Sequence, residues 1–336
     1  MEEEQIQSDE WIKNLPVQAE SDRFAAAEMI ACAKCARRNP PNRLSCVYCG
    51  GALEITADRL AGVKLNRRKL ESWEKGCNLI FQPEKSNYSG YENEEIAAAL
   101  NLETAVLQQL LSSGKPLPLT RCESRQEAEI IGEKLKKNNL SASLVDDESL
   151  ADEKPPIRLR GLEFDDENIF LILFNTGEVV KIPREDLILI VSGAVYERKT
   201  ESIEKRKKGE NKILDASEIA SDELLIDVYS REDSLGYRIF AKGFDFSCLE
   251  AEKGMLAAEN MRRLAEKLRE RATRAKFVDD YTAIREILND VWEVEKRKDS
   301  QGLKRHGFGK FDIANVETSN NLRQFTKYSR LQRQIL

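Results

Sequence analysis

Cys32-Ala-Lys-Cys35, a ten-residue gap, then Cys46-Val-Tyr-Cys49-Gly50 is the stretch that states its chemistry outright. Two C-x2-C pairs at this separation can close one tetrahedral site of four thiolates, with zinc–sulfur bonds of about 2.3 Å. Each pair belongs on a tight turn whose backbone N–H groups point at the sulfurs. Asn39-Pro40-Pro41-Asn42 supplies a turn between the pairs, and Gly50-Gly51 lets the chain leave the second without steric conflict. Residues 29–53 hold almost no apolar core, so a metal must fold them, through a binding free energy on the order of 10–16 kcal/mol. The redox reading of C-x2-C needs one pair in a thioredoxin-like βαβ setting, which is absent around these cysteines. A rubredoxin-like iron site is the other metal reading. The expected cofactor is a structural Zn2+ on Cys32, Cys35, Cys46 and Cys49.

Cys32-x2-Cys35-x3-Asn39-x6-Cys46-x2-Cys49-Gly50-x2-Leu53 resembles the small zinc ribbons of multidomain bacterial proteins. Ala36 stands where that family usually has glycine, and Ser45 where it often has an aromatic. The spacing is also similar to the Ran-binding-protein type of zinc finger, with Ile30 in place of that family's tryptophan. Both resemblances cover about 25 residues and imply a binding module that performs no reaction. The surface it would present to a partner or to nucleic acid is Lys34, Arg37, Arg38, Arg43 and Tyr48, with Arg67 and Arg68 on a helix expected over 57–76.

The chain of 336 residues has room for two or three domains, and its 41% hydrophobic content supports real cores. Its net charge of −6 argues against polyanion binding by bulk charge, but the charge is uneven. Residues 1–30 carry eight acids against two bases, and read as a disordered leader or a short docking segment around Trp11–Val17. Residues 31–70 carry nine bases against Glu54 and Asp58. No apolar run approaches the roughly 20 residues of a membrane span, and Met-Glu-Glu-Glu is the reverse of a secretory n-region. A cytoplasmic setting is expected. Cys77, Cys122 and Cys248 then read as buried small hydrophobes.

Downstream, residues 57–146 suggest a small α+β domain, ferredoxin-like in outline. Residues 77–82 read as a strand. Asn93–Leu111 resembles a DNA-binding helix-turn-helix with Asn101 at the turn, but its second helix offers Glu103, Thr104, Gln108 and Gln109 and no base, so a packing hairpin is the favoured reading. Leu117–Cys122, a helix opened by the capping box Ser124-Arg-Gln-Glu127, and Leu140–Val145 form a βαβ-like unit. Residues 147–156 are an acidic linker ending in Pro155-Pro156.

Period-two patterns follow over 157–249, with strands expected at Ile157–Phe164, Asn168–Phe174, Glu178–Ile182, Leu187–Arg198, Leu224–Ser230 and Tyr237–Lys242. The charged segment Lys199–Ser221 reads as a mobile loop. Amphipathic helices are expected at Gly254–Lys276 and 279–292. Strands followed by a helix resemble the pleckstrin-homology-like (PH-like) fold, which places residues 157–295 in a PH-like β domain and raises lipid headgroups, through Lys205–Lys208, as a ligand. Residues 296–336 form a basic, aromatic tail that either binds nucleic acid or packs back through Phe311, Phe325, Tyr328 and Leu331.

The sole histidine, His306, has no partnered nucleophile or carboxylate in its sequence setting, and no P-loop, G-x-S-x-G or H-E-x-x-H is present. Asp146-Asp147, Asp165-Asp166 and Asp279-Asp280 occupy turn or helix-start positions, where acids are ordinary caps. The expectation is a non-enzymatic, cytoplasmic zinc-binding adaptor or regulatory module that contacts other proteins, with no small-molecule substrate. The alternatives are a nucleic-acid-associated protein using the basic ribbon flank and tail, and a peripheral membrane adaptor.

Overall fold

The computed structural model describes residues 25, 27–41, 43, 46–51, 53–54, 69–71, 74–86, 93–207, 210–307 and 310–336, with side chains at all of these except 93, 203–207, 210–216, 300–307 and 310–314. The expected leader (apart from residues 25, 27 and 28), most of the 57–76 helix with Arg67 and Arg68, and Lys208 lie outside the described residues. Helices and sheets are both present, so the chain is α+β, and it divides into two compact units, Met1–Arg68 and Lys69–Leu336.

In the first unit, β1 (Ile30–Ala31) pairs antiparallel with β2 (Arg38–Asn39), Ile30 opposite Asn39. Ile30, Cys32, Cys46 and Leu53 are its buried apolar residues.

The second unit opens with β3 (Cys77–Phe81), buried along its whole length. Helices α1 (Asn93–Leu100) and α2 (Thr104–Ser112) follow. Asn101 makes the turn between them at φ +57°, in the left-handed region that asparagine tolerates. Ile96, Ala97, Leu100, Leu107 and Leu110 enter the core, while Gln108 and Gln109 face solvent: the pair packs as a helical hairpin. Then come β4 (Pro118–Cys122), α3 (Arg125–Lys137) and β5 (Ala142–Asp146). Ser124 Oγ accepts the N–H of Glu127, and the Glu127 carboxylate reaches back to the N–H of Glu123, so the capping box forms. Strands β4 and β5 flank β3, each antiparallel to it. Residues 147–156 carry a short helix, α4 (Asp147–Leu150), with Asp147 and Leu150 buried.

A nine-stranded, curled mixed sheet follows, built from β6 (Ile157–Phe164), β7 (Asn168–Leu173), β8 (Val179–Pro183), β9 (Leu187–Lys207), β10 (Glu210–Ser230), β11 (Tyr237–Phe240), β12 (Lys276–Val278), β13 (Glu295–Gly307) and β14 (Lys310–Asn320). Its order is β13-β14-β9-β10-β11-β6-β7-β8, with β12 alongside β9. Only β11–β6 and β12–β9 are parallel. Helices α5 (Ala257–Arg271), α6 (Tyr281–Leu288) and α7 (Leu322–Gln334) complete the unit.

Two regions differ from the sequence reading. Lys199–Ser221, expected as a mobile loop, is the outer half of the β9–β10 hairpin. Its charges pair within and across strands, Lys199 with Glu201 at 2.8 Å and Arg198 with Glu218 at 4.0 Å, and β14 lines its other side. Charge density signalled solvation correctly and structure wrongly, because neighbouring strands satisfy the backbone whatever the side chains. The segment 296–336, read as a basic tail, is a hairpin and a helix, and of the two alternatives open for it, packing back on the body holds at Phe325, Tyr328 and Leu331.

Helix α7 is the centre of the second unit. Phe325, Tyr328 and Leu331 are buried in a core shared by the three-stranded sheet, β9, α6 and α7. The Tyr281 and Phe325 rings meet edge to face at 4.9 Å. Gly193 on β9 makes the room: a Cβ there would stand 2.8 Å from both Phe325 and Tyr281. Gly193→Val should therefore destabilise the unit by about 1–3 kcal/mol through overpacking, read as a lowered urea midpoint.

Polar groups bind the same helix. Arg330 donates to the carbonyls of Leu150, Ala151, Lys154 and Leu235. Thr326 Oγ1 accepts from Arg238, which forks onto Asp227 through two 2.7 Å bonds. Tyr229 and Ser329 share a 2.7 Å hydrogen bond. On the opposite face of the sheet, a second core packs Met261, Leu264 and Leu268 of α5 against Ile190, Ile226 and Ile239.

Candidate metal centre

The thiols of Cys32, Cys35, Cys46 and Cys49 all lie within 4.8 Å of one another. Cys32 Sγ is 3.6 Å from Cys49 Sγ, and Cys35 Sγ is 3.5 Å from Cys46 Sγ. A tetrahedron with metal–sulfur bonds of about 2.3 Å has edges of about 3.8 Å, so these separations fit one metal ion at the centre. It is the one such cluster among the described residues.

The two C-x2-C turns are near copies. Ala36 N donates to Cys32 O at 2.8 Å, and Gly50 N to Cys46 O at 2.9 Å. Cys32 N donates to Arg37 O at 3.0 Å, and Cys46 N to Gly51 O at 2.8 Å. Each turn closes on a left-handed residue, Ala36 at φ +59° and Gly50 at φ +68°. Glycine takes that conformation freely, and alanine pays about 1–2 kcal/mol for it. Ala36→Gly should therefore tighten the fold of the first unit, by somewhat less than that figure because glycine also frees the unfolded chain. The check is metal competition against a chromophoric chelator, with the variant holding its metal more tightly.

Asn39 is the residue whose role the sequence hid. It reads there as a turn former, but in the structure it is fully buried and joins the two turns. Its Nδ2 donates to Arg37 O and its Oδ1 accepts from Val47 N, both at 2.9 Å. The hint in the sequence is position alone, an asparagine four residues after Cys35. Asn39→Ala would leave the N–H of Val47 unpaired.

Local dipoles prepare the thiols for a cation. Burial opposes ionisation of Cys46, yet the N–H groups of Tyr48 and Cys49 outweigh it and bring the thiol down to about 6. At Cys35 the N–H of Arg37 pulls the same way, but burial and the other thiols push it up to about 12. Four sulfurs this close repel one another as thiolates, so they do not all ionise together without a positive charge among them.

Around the cluster, Lys34, Arg37, Arg38, Arg43 and Tyr48 are all exposed. The Arg37 guanidinium lies 4.8 Å over the Tyr48 ring. Cys77 and Cys122, in the second unit, are buried and stand opposite each other across β3 and β4. Burial pushes the Cys77 thiol up to about 12 and the half-buried Cys248 thiol up to about 11. Both should stay unmodified by iodoacetamide in native protein at neutral pH and react only on unfolding, as intact-mass spectrometry can read.

The paired acids take varied places. Asp165 caps the β6–β7 turn through the N–H groups of Glu167 and Asn168. Asp280 contacts Lys115 and the Tyr328 hydroxyl at the start of α6. Asp147 sits in a buried ionic cluster with Arg121 and Lys327. His306 lies on β13. No helix among the described residues is long and apolar enough to cross a membrane. No protein-family model, curated protein or solved structure matches the chain.

Proposed function

We propose that Cys32, Cys35, Cys46 and Cys49 hold a structural zinc ion in a zinc-ribbon module, and that the chain is a cytoplasmic, non-enzymatic adaptor whose ribbon surface contacts another protein. The observation that carries the metal is the spacing of the four thiols, all within 4.8 Å. Zinc suits an all-thiolate tetrahedron, and four protein ligands leave it no position for a reacting water. The contact surface is then the exposed set Lys34, Arg37, Arg38, Arg43 and Tyr48, with Arg67 and Arg68 further along the chain. Sheet strands followed by α5 support a PH-like reading of 157–295, and β4-α3-β5 around β3 supports a ferredoxin-like one of 57–146.

Elemental analysis of freshly purified protein should find one zinc per chain; well under one sinks the metal reading. A pull-down with intact protein should lose its specific partner both in Cys46→Ser/Cys49→Ser and in Arg37→Ala/Tyr48→Ala. Retention in both variants removes the ribbon as the contact surface.

A second reading rests on the Arg37–Tyr48 stack. An exposed aromatic with a guanidinium over it, among further bases, is the kind of platform on which nucleic-acid bases stack. Retention on single-stranded nucleic acid should then fall with salt at a log–log slope of about −0.7 per phosphate contact. No retention at low salt removes it.

A further inference from the structure

The outer halves of two hairpins form a four-stranded antiparallel ribbon, β13-β14-β9-β10, because Ile313–Asn320 of β14 pair with Glu197–Glu204 of β9. Both borders of this ribbon are open among the described residues. Strand β13 pairs only with β14, and residues 210–224 of β10 pair only with β9. An open strand edge is a row of unpaired N–H and C=O groups that other chains can join, and long ones are normally blunted. The borders extend about 45 and 50 Å at some 3.4 Å per residue.

The two borders carry opposite charge. Strand β13 holds Lys296, Arg297, Lys298, Lys304 and Arg305 against Glu295 and Asp299. The outer part of β10 holds Glu210, Asp215, Glu218, Asp222 and Glu223 against Lys212. Arg297 and Lys298 are each 85% exposed, and Ile219, in the middle of the acidic border, is 66% exposed. Lys298 reaches Glu317 only at 3.9 Å and Glu218 reaches Arg198 only at 4.0 Å, whereas Asp222 is held by Arg285 at 3.1 Å and Glu223 accepts the N–H of Lys242 at 3.2 Å. Like borders repel each other, and unlike borders attract.

Strand direction suits the unlike pairing. With four alternating strands, a second copy in the same orientation brings its β13 beside β10 antiparallel, with no rotation needed. The rows of the ribbon also match. Lys298, Glu317, Thr200 and Glu218 lie in one row, and Leu303, Ile313, Glu204 and Ile213 in another. Without stagger, the neighbour's Lys298 meets Glu218. We propose that the basic β13 border of one molecule adds onto the acidic β10 border of a second copy, so that the chain associates head to tail. A translation that does not close gives an open series and not a symmetric dimer.

Sedimentation velocity of the full-length protein tests this. The average mass should rise with concentration past that of two 38.3 kDa chains, and fall back with added salt. Lys298→Glu and Glu218→Lys should each weaken association about tenfold, and the two together should restore it. Ile219→Lys, which adds a base to the acidic border, should weaken it as well. Melting curves check that each variant folds. A protein that stays monomeric at every concentration overturns the proposal, as does association that stops at a dimer or ignores both swaps.

Discussion

Chelation of a metal held by the four cysteines is expected to unfold the module at 29–53 and to leave Lys69–Leu336 folded. Among the described residues, the buried apolar set of the module is Ile30, Cys32, Cys46 and Leu53, of which two belong to the thiol cluster itself. Ordering one residue costs about 1–2 kcal/mol of backbone entropy alone, and so few apolar side chains return far less than some two dozen residues require. A structural zinc there would contribute on the order of 10–16 kcal/mol, more than any other single interaction among the unit's described residues. The β1–β2 ladder is two residues long and cannot substitute. Limited trypsin digestion gives the readout, because Lys34, Arg37, Arg38 and Arg43 lie inside the module. Cleavage there should become rapid with chelator, and should be rapid without it in Cys46→Ser/Cys49→Ser. A module that resists trypsin when stripped of metal would show that something other than the four thiols holds it.

Asp147→Ala should cost the second unit about 3–5 kcal/mol, the range for removing one partner of a buried ion pair. Asp147 is buried and heavily bonded. Its carboxylate takes Arg121 at 2.6 Å, the N–H of Gly76 at 2.9 Å, Asn78 at 3.0 Å and Lys327 at 3.4 Å. Asn78 in turn accepts the Trp292 indole at 2.8 Å, and Asp152 shares Lys327 and takes Arg323 at 2.5 Å. Removing the carboxylate leaves Arg121 and Lys327 facing each other with less solvent to screen them. Asp147→Ala combined with Lys327→Met should recover part of the loss, because one stranded charge then goes too. A double-variant loss equal to the sum of the Asp147→Ala and Lys327→Met losses would mean that the pair is not coupled.

The same group gives the unit an acid limit. Burial pushes the Asp147 carboxyl up, but Lys327 and Arg121 outweigh it and hold the group below its usual range. A carboxylate depressed in the folded state stabilises fully above its unfolded value of about 4, and the contribution disappears as pH falls through the folded value. The urea midpoint of the wild type should therefore drop more steeply below pH 4 than that of Asp147→Ala. Parallel acid profiles would remove Asp147 as the cause.

The four thiols, the capping box at Ser124 and the helical hairpin around Asn101 were readable in the chain because each is local. A turn, a cap or a metal knuckle is specified by residues within a few positions of one another. Asp147 and Lys327 were not readable as partners, since 180 residues separate them and each alone resembles a solvated charge. The β9–β10 hairpin was hidden for a related reason. Its outer strands lack the alternation of apolar residues that burial imposes, and β14, contributed from more than a hundred residues away, gives the outer half of β9 its second ladder. Helix α7 looked like part of a basic tail. Its Arg330 and Lys327 are buried because carbonyls and carboxylates from α4 and its surroundings close over them.

By itself, then, the sequence determined the four-cysteine cluster that could hold a metal, the local caps and turns, and the absence of any apolar run long enough to span a bilayer, all of which depend on neighbours along the chain. Tertiary structure alone decided that the acidic 147–156 stretch and the C-terminal helix belong to one core, and that two charged segments become the open borders of a single ribbon. Those outcomes depend on which distant groups desolvate a charge or pair a strand, and no short window of residues carries that information.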